Sequence, residues 1–332
     1  MPTTDLGAAA DLLRTATDVT LLAHVNPDAD ALGSALALGL ALRRRGADVR
    51  VSFGMPAEVP ETLRGLDPAD LVVPAADVPA AVPLLVVVDT GSKSRLGQLA
   101  DRVSATVDDG GQVLVVDHHA FNTLYGTHHL VDESAEATAI LVMRLLDELG
   151  WELDPDIAAC VYAGLVTDTS SFRRARPETH LLAARLIEAG ADPTALTKTL
   201  LDTHPFAFLQ MLATVLDRAV LEPDAAGGRG LVHTSVLLDD LVGVRLEEAE
   251  SVIDVVRTTK EAEVAAVLKQ TATDAWTGSL RAAGEVDVRA AAERFGGGGH
   301  RLAAGFSAVG EHAEILTRLR DALRDPVLLA SG

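Results

Sequence analysis

The chain has 332 residues, room for one large domain or two ordinary ones, and 48% of them are hydrophobic, which supplies a real core and excludes bulk disorder. Its formal net charge of −20 argues against long duplex DNA as a partner, because such binding rests on basic contacts to phosphates. A short, phosphate-bearing substrate held through metal ions stays open.

The N-terminal segment 1–18 has no basic region followed by an apolar stretch, so no signal peptide is expected. No uninterrupted apolar run reaches about 18 residues, so no membrane span is expected either. In chain order, VTLLAH (19–24), DVRVSF (48–53), LLVVVD (84–89) and QVLVVD (112–117) read as strands. Runs of Val and Leu without alternation suit strands buried on both faces, as in a parallel sheet. Three of them close on a residue able to bind metal: His24, Asp89 and Asp117. ALGSALALGLALRRRG (31–46) reads as a helix, with Arg43, Arg44 and Arg45 suiting the dipole of its last turn and Gly46 as its cap.

This alternation predicts an open α/β sheet with helices on both faces and a ligand site beyond the carboxyl ends of the strands. Cys160, the single cysteine, lies in the apolar run DIAACVYAGLV and reads as a small core residue; a reducing cytoplasm fits. The helix over HLLAARLIEAG ends near Gly190, and Asp-Pro and His-Pro turn signals follow. They place a boundary at about residue 195, with a linker over 191–210. An N-terminal domain (1–195) and a smaller α/β domain (211–332) result. In the latter RGLVHTSVL and EVAAVLKQ read as strands, LEEAESVIDVVR and DVRAAAERF as helices, and EPDAAGGRG (222–230) as a hairpin or loop.

The polar residues at the run ends carry the chemistry. In HVNPDADALGS (24–34), His24, Asp28 and Asp30 place one imidazole and two carboxylates within seven residues. Mixed N and O donors suit a divalent cation such as manganese. Alone, the segment fits a solvated Asp-rich turn with an N-cap equally well. Gly33 is expected to let the helix pack close to the sheet. Asp89, at the end of a buried strand, is costly unless paired or metal-bound; its ordinary reading is a helix N-cap. In Asp117-His118-His119 the adjacent imidazoles point different ways, so one can bind metal while the other faces substrate. His128 and His129 read as an ordinary surface or core pair. In GLVTDTSSFR (164–173), Asp168 and Arg173 suit a metal ligand with a phosphate clamp, or a capped turn.

Taken together, these four segments resemble the DHH phosphoesterase superfamily. FGGGGHRLAAG (295–305) is similar to the glycine-rich signature of the DHH-associated domain, and GSLR (278–281) to its Ser-x-Arg strand. Physically, the glycines let backbone N–H groups approach an anion, and His300 and Arg301 add positive charge. Size and both signatures most resemble the NrnA-type group of oligoribonucleases and phosphoadenosine-phosphate phosphatases.

The resemblance implies two cations. His24, Asp28 and Asp89 would bind one; Asp30, Asp89, His118 and Asp168 the other, with Asp89 bridging. Manganese is expected, with magnesium or cobalt as substitutes. His119 would contact the phosphoryl group or protonate the leaving oxygen, and Asp117 would orient a histidine. Arg173, Arg281, Gly297, Gly298, Gly299, His300 and Arg301 would hold the substrate's phosphates. The implied activity is hydrolysis of short oligoribonucleotides to nucleoside monophosphates and of adenosine 3′,5′-bisphosphate (PAP) to AMP. Cleavage of cyclic di-AMP or pApA is the alternative; a RecJ-like single-strand exonuclease or a non-catalytic nucleotide sensor fits less well. A cytoplasmic homodimer is expected.

Overall fold

All four apolar runs become strands, and they lie side by side in one sheet. The computed structural model describes residues 5–329, so the first four residues of the segment read for a leader lie outside it. The chain divides into two units between Thr203 and His204.

The first unit runs α1 (Leu6–Thr15), β1 (Asp18–Ala23), α2 (Ala29–Arg44), β2 (Asp48–Phe53), β3 (Leu84–Val88), α3 (Asp101–Asp108), β4 (Gln112–Asp117) and β5 (His128–Val131). Helices α4 (Thr138–Leu149), α5 (Pro155–Asp168), α6 (Pro177–Glu188) and α7 (Pro193–Leu200) complete it. Its sheet is wholly parallel, in the order β2-β1-β3-β4-β5. The chain leaves β1 toward one side and returns to build β3 on the other. That reversal opens a crevice at the carboxyl ends of β1 and β3, where open α/β sheets bind their ligands.

Alternate strand residues serve opposite faces. Leu21, Val86, Val88, Leu114 and Val116 pack in one core with α1, α2, α4 and α5. Leu22, Leu85, Val87, Val113 and Val115 pack with Val103 of α3 and with Leu96 and Leu99 of a short 3-10 segment. The helical cover is therefore thick on one face and thin on the other. Gly33 does not serve the sheet as expected. A Cβ there would fall 2.5 Å from the Cys160 carbonyl oxygen, so its role is the close crossing of α2 on α5. Cys160 is fully buried in that crossing.

The span read as a linker contains α7 and the first turn of α8 (Phe206–Asp217). The second unit continues with β6 (Val220–Glu222), a helical turn α9 (Ala225–Gly228), β7 (Leu231–Val236), α10 (Leu246–Val256), β8 (Val264–Ala272) and β9 (Ala275–Ala282). It closes with α11 (Val288–Glu293), β10 (Gly298–His300), β11 (Ala303–Val309) and α12 (His312–Ala322). The sheet order is β10-β11-β9-β8-β7-β6, with only β7 and β8 parallel. EPDAAGGRG is a hairpin connection, since β6 and β7 pair antiparallel across it.

Ala266, Leu268, Leu280 and Phe306 pack one face against α11 and α12. Val232, Val236, Ala265 and Val267 pack the other against α8 and α10. Toward β10 that second face carries small or polar residues instead: Thr277, Ser279 and Arg281 of β9, opposite Ser307, Gly305 and Ala303. Among the described residues no helix is long and apolar enough to cross a membrane.

Candidate metal centre

The crevice of the first sheet is lined by residues from five element ends. His24 follows β1, Asp28 and Asp30 open α2, Asp89 follows β3, Asp117 ends β4 with His118 and His119 after it, and Asp168 is the last residue of α5. Asp168 was expected at a strand or loop end; it sits at a helix C-terminus. A carboxylate there opposes the helix dipole, at a cost of about 0.3–1 kcal/mol. A solvated cap would not choose that place, and the carboxylate lies 3.3 Å from His118 Nε2.

Two of the imidazoles are held by backbone carbonyls. His24 Nδ1 is 2.8 Å from the Val25 oxygen, and His118 Nδ1 is 3.1 Å from the Ala135 oxygen. A carbonyl only accepts, so Nδ1 carries the proton in the neutral ring and Nε2 presents the lone pair, the tautomer a metal ligand needs. His24 Nε2 lies 3.5 Å from Asp89 Oδ2 and 3.7 Å from Asp28 Oδ2. His118 Nε2 lies 3.5 Å from Asp89 Oδ1 and 4.0 Å from Asp30 Oδ2. Asp89 thus stands between the two rings, with one oxygen toward each.

The carboxylates are anchored as well. Asp28 Oδ1 accepts the Ala31 N–H at 2.9 Å and caps α2, while its other oxygen faces His24. Asp30 is fully buried against the N-terminus of α4: its oxygens accept the N–H groups of Thr138 at 2.7 Å and Ala139 at 2.9 Å. A helix N-terminus favours an anion. The Thr138 hydroxyl donates to Asp89 Oδ1 at 2.8 Å. Gly164 of α5 makes room, since a Cβ there would lie 2.5 Å from Asp30 Oδ1.

The charges do not balance within the protein. Burial, then the charge of Asp89, pushes Asp30 up to about 7. Burial, with Asp30 and Asp28 nearby, pushes Asp168 well above the usual carboxylate range. Burial and Arg95 oppose protonation of His24, yet Asp28 and Asp89 hold it up at about 9. Burial likewise opposes His118, and Asp89, Asp168 and Asp30 hold it up at about 9. Burial resists the charge of Asp89, but His24, His119 and His118 keep its pKa well below the usual range. These carboxylates accumulate negative charge that only protons or cations can offset. Carboxylate oxygens with imidazole nitrogens form the mixed donor set that suits a divalent transition metal. Within the first unit, side-chain donors lie close enough together for one ion in His24–Asp28–Asp89, in Asp30–Asp89–His118 and in Asp89–Asp117–His119, all of which share Asp89.

His119 lies beside this cluster. Its Nδ1 is 2.7 Å from Asp117 Oδ1, so Asp117 orients His119 rather than His118. Arg173 is exposed in the turn after α5, its Nε donating to the Ser170 carbonyl at 2.8 Å. It is Arg174 that reaches back to the Asp168 carbonyl, at 3.0 Å. His128 and His129 lie on β5, where His129 Nε2 accepts the Gly126 N–H at 3.1 Å, an ordinary structural use.

In the second unit Arg281 lies on β9, two residues from Ser279 and on the same face. The glycine-rich stretch was expected to bring backbone N–H groups close to an anion. It contains an edge strand: Gly298 and His300 of β10 stand opposite Gly305 and Ala303 of β11. Cβ atoms at Gly297 and Gly299 would lie 2.2 Å and 2.6 Å from the carbonyl oxygens of Gly305 and Ala303, so those glycines serve strand packing. Gly298 alone of the three borders open space. Arg301 is 65% exposed, with Nε 4.0 Å from Asp287 Oδ2.

The model of the DHH family, N-terminal domain, matches residues 18–165, and that of the DHHA1 domain matches residues 233–325. The chain is 31% identical over 322 residues, 94% of its own length and 91% of the relative's, to the bifunctional oligoribonuclease and PAP phosphatase NrnA of Thermus thermophilus. The chain belongs to the DHH family.

It is accordingly a hydrolase. A second relative, the cyclic-di-AMP phosphodiesterase GdpP of Geobacillus thermodenitrificans, is 27% identical over 96% of this chain, which spans 49% of that protein. The fold is shared with an exopolyphosphatase-related protein from Bacteroides fragilis, at a TM-score of 0.83 and 20% identity over 96% of this chain and 95% of that one. In this DHH protein, sequence reasoning missed Thr138 and Asn122, which hydrogen-bond Asp89 and Asp117. Neither stands in a motif that would single it out.

Proposed function

We propose that this DHH protein is a manganese-dependent phosphoesterase that hydrolyses short oligoribonucleotides to nucleoside monophosphates and PAP to AMP. The observation that carries the reading is the position of Asp89, one oxygen toward His24 and the other toward His118. A shared carboxylate between two nitrogen-and-oxygen groups suits a pair of cations. His24, Asp28 and Asp89 would hold one; Asp30, Asp89, His118 and Asp168 the other. When bound, such a pair supplies a water activated near neutral pH and neutralises charge on the phosphate.

The chain's own residues do the rest. His119, oriented by Asp117, donates a proton from Nε2 to the leaving oxygen. Arg173, Arg281, His300 and Arg301, with Gly297, Gly298 and Gly299, bind the remaining phosphates and select short substrates. The likeness to the Thermus protein supports oligoribonucleotides and PAP as substrates. The likeness to GdpP across nearly the whole chain supports cyclic di-AMP as the second reading.

The test is a manganese assay of the purified chain on oligoribonucleotides of increasing length, with PAP, pApA and cyclic di-AMP in parallel. Turnover of dinucleotides and PAP that falls as length grows is expected. A preference for cyclic di-AMP selects the second reading. Turnover that rises with length contradicts both.

A further inference from the structure

The loop after β4 carries an asparagine that the reaction as described does not use. Asn122 Nδ2 lies 2.6 Å from Asp117 Oδ2, and the other oxygen of that carboxylate lies 2.7 Å from His119 Nδ1. Asp117 is fully buried, so these partners replace water. The amide orientation of Asn122 is fixed: its Oδ1 accepts the Leu124 N–H at 2.8 Å, and a backbone N–H can only donate. The nitrogen must therefore face Asp117. The loop itself is tied down, since the Thr123 N–H donates to the Gly91 carbonyl at 2.9 Å and the Tyr125 hydroxyl to the Thr90 carbonyl at 2.9 Å. Both acceptors follow directly on Asp89.

We propose that Asn122 is a positioning residue that acts on the reaction through Asp117 and His119; this rests on the phosphoesterase reading above. An ionised carboxylate only accepts, so Asp117 requires the proton of His119 on Nδ1 and assigns Nε2 to the substrate. Asn122 stops Asp117 from rotating out of that arrangement. In the hydrolysis, the oxygen of water forms the new bond to phosphorus, one of its protons leaves to solvent, and the bond from phosphorus to the leaving oxygen breaks. A proton that His119 Nε2 takes up from solvent passes to the leaving oxygen, its electron pair stays on the ring, and the ring returns to the neutral Nδ1–H form. Without Asn122 one oxygen of a buried carboxylate loses its donor, the ring loses its fixed orientation, and the proton transfer suffers while binding does not.

The experiment uses Asn122→Leu, close to isosteric but without a donor, on the full manganese-loaded chain. On a dinucleotide, whose leaving alkoxide needs a proton, kcat falls about 10–100-fold, the range seen when an outer partner of a catalytic ligand is removed, with KM little changed. On bis-p-nitrophenyl phosphate, whose leaving phenolate needs no proton, the loss is under about threefold. In a His119→Ala background the Asn122→Leu loss disappears. Equal losses on both substrates, or a full loss in the His119→Ala background, would overturn the proposal in favour of a purely structural role. A readout independent of activity separates this inference from the functional one. Ring nitrogen shifts of labelled histidine give the Nδ1–H tautomer of His119 in the parent and a mixture in Asn122→Leu; an unchanged tautomer also overturns it. A parent chain that cleaves no nucleotide refutes the functional reading, and the nitrogen shifts still judge the role of Asn122.

Discussion

In the first unit, His24, Asp28, Asp30, Asp89 and His118 each meet a second hydrogen-bonding partner that fixes the side chain. In the second unit Gly298, Gly299 and His300 stand on the edge strand β10, Arg301 just past it is 65% exposed, and Gly298 has no neighbour within 4 Å of a Cβ position, while Arg281 lies on β9 inside the sheet. The contrast follows from what each set must do. Charges gathered in a buried crevice are costly and must be held in register before a cation arrives. Contacts to a flexible, solvated substrate gain from space and reach, and glycine supplies the space.

The largest expected effect breaks the first half of this contrast. Asp89→Ala reduces manganese-dependent turnover by at least about a thousandfold, the upper range for losing one preorganised electrostatic group. It also removes the rise in Tm that manganese gives the parent protein. Retained turnover with an intact manganese shift would end the bridging role of Asp89.

The next concerns pH. His24 and His118 are held up at about 9 by neighbouring carboxylates, so below that pH the metal-free site carries their protons. A cation must displace them, and affinity therefore rises with pH and levels off above about 9. Each displaced imidazole proton contributes about a tenfold gain per pH unit below that point. Manganese titration calorimetry in buffers of different ionisation heat measures the release; affinity independent of pH between 6 and 8 would contradict the charge account.

Thr138→Val comes third. It keeps shape and the backbone N–H that holds Asp30, and removes only the hydroxyl on Asp89. Manganese affinity falls about 10–100-fold with Tm of the metal-free chain nearly unchanged. The smallest effect sharpens the second half of the contrast. Gly299, at φ 134° and crowded by the Ala303 carbonyl, loses about 1–3 kcal/mol of stability on substitution by alanine. Gly298→Ala leaves Tm unchanged and weakens nucleotide binding, because under the proposed function the added methyl enters space that the ligand uses. Thermal melts with and without PAP separate the two.

What the sequence made legible was local. Unalternated Val and Leu runs marked β1, β3 and β4, and their ends placed His24, Asp89 and Asp117 where a parallel sheet binds ligands. Asp168 was misplaced because an acid at a helix C-terminus runs against local preference; only its approach to His118 explains it. The glycine run gives no strand signal, because glycine is a poor strand former. Its strand depends on pairing with Gly305 and Ala303, which no local pattern announces. Thr138 was invisible for the same reason: it donates to Asp89, which another strand delivers. Asn122 lies only five residues from its partner Asp117, but the turn that brings the two together has no local signature.

The most direct test of the paired-cation centre is a crystal of this chain grown with manganese and measured at the manganese absorption edge. Two anomalous peaks are expected, one against His24, Asp28 and Asp89 and one against Asp30, Asp89, His118 and Asp168. A single peak, or peaks away from Asp89, would contradict it.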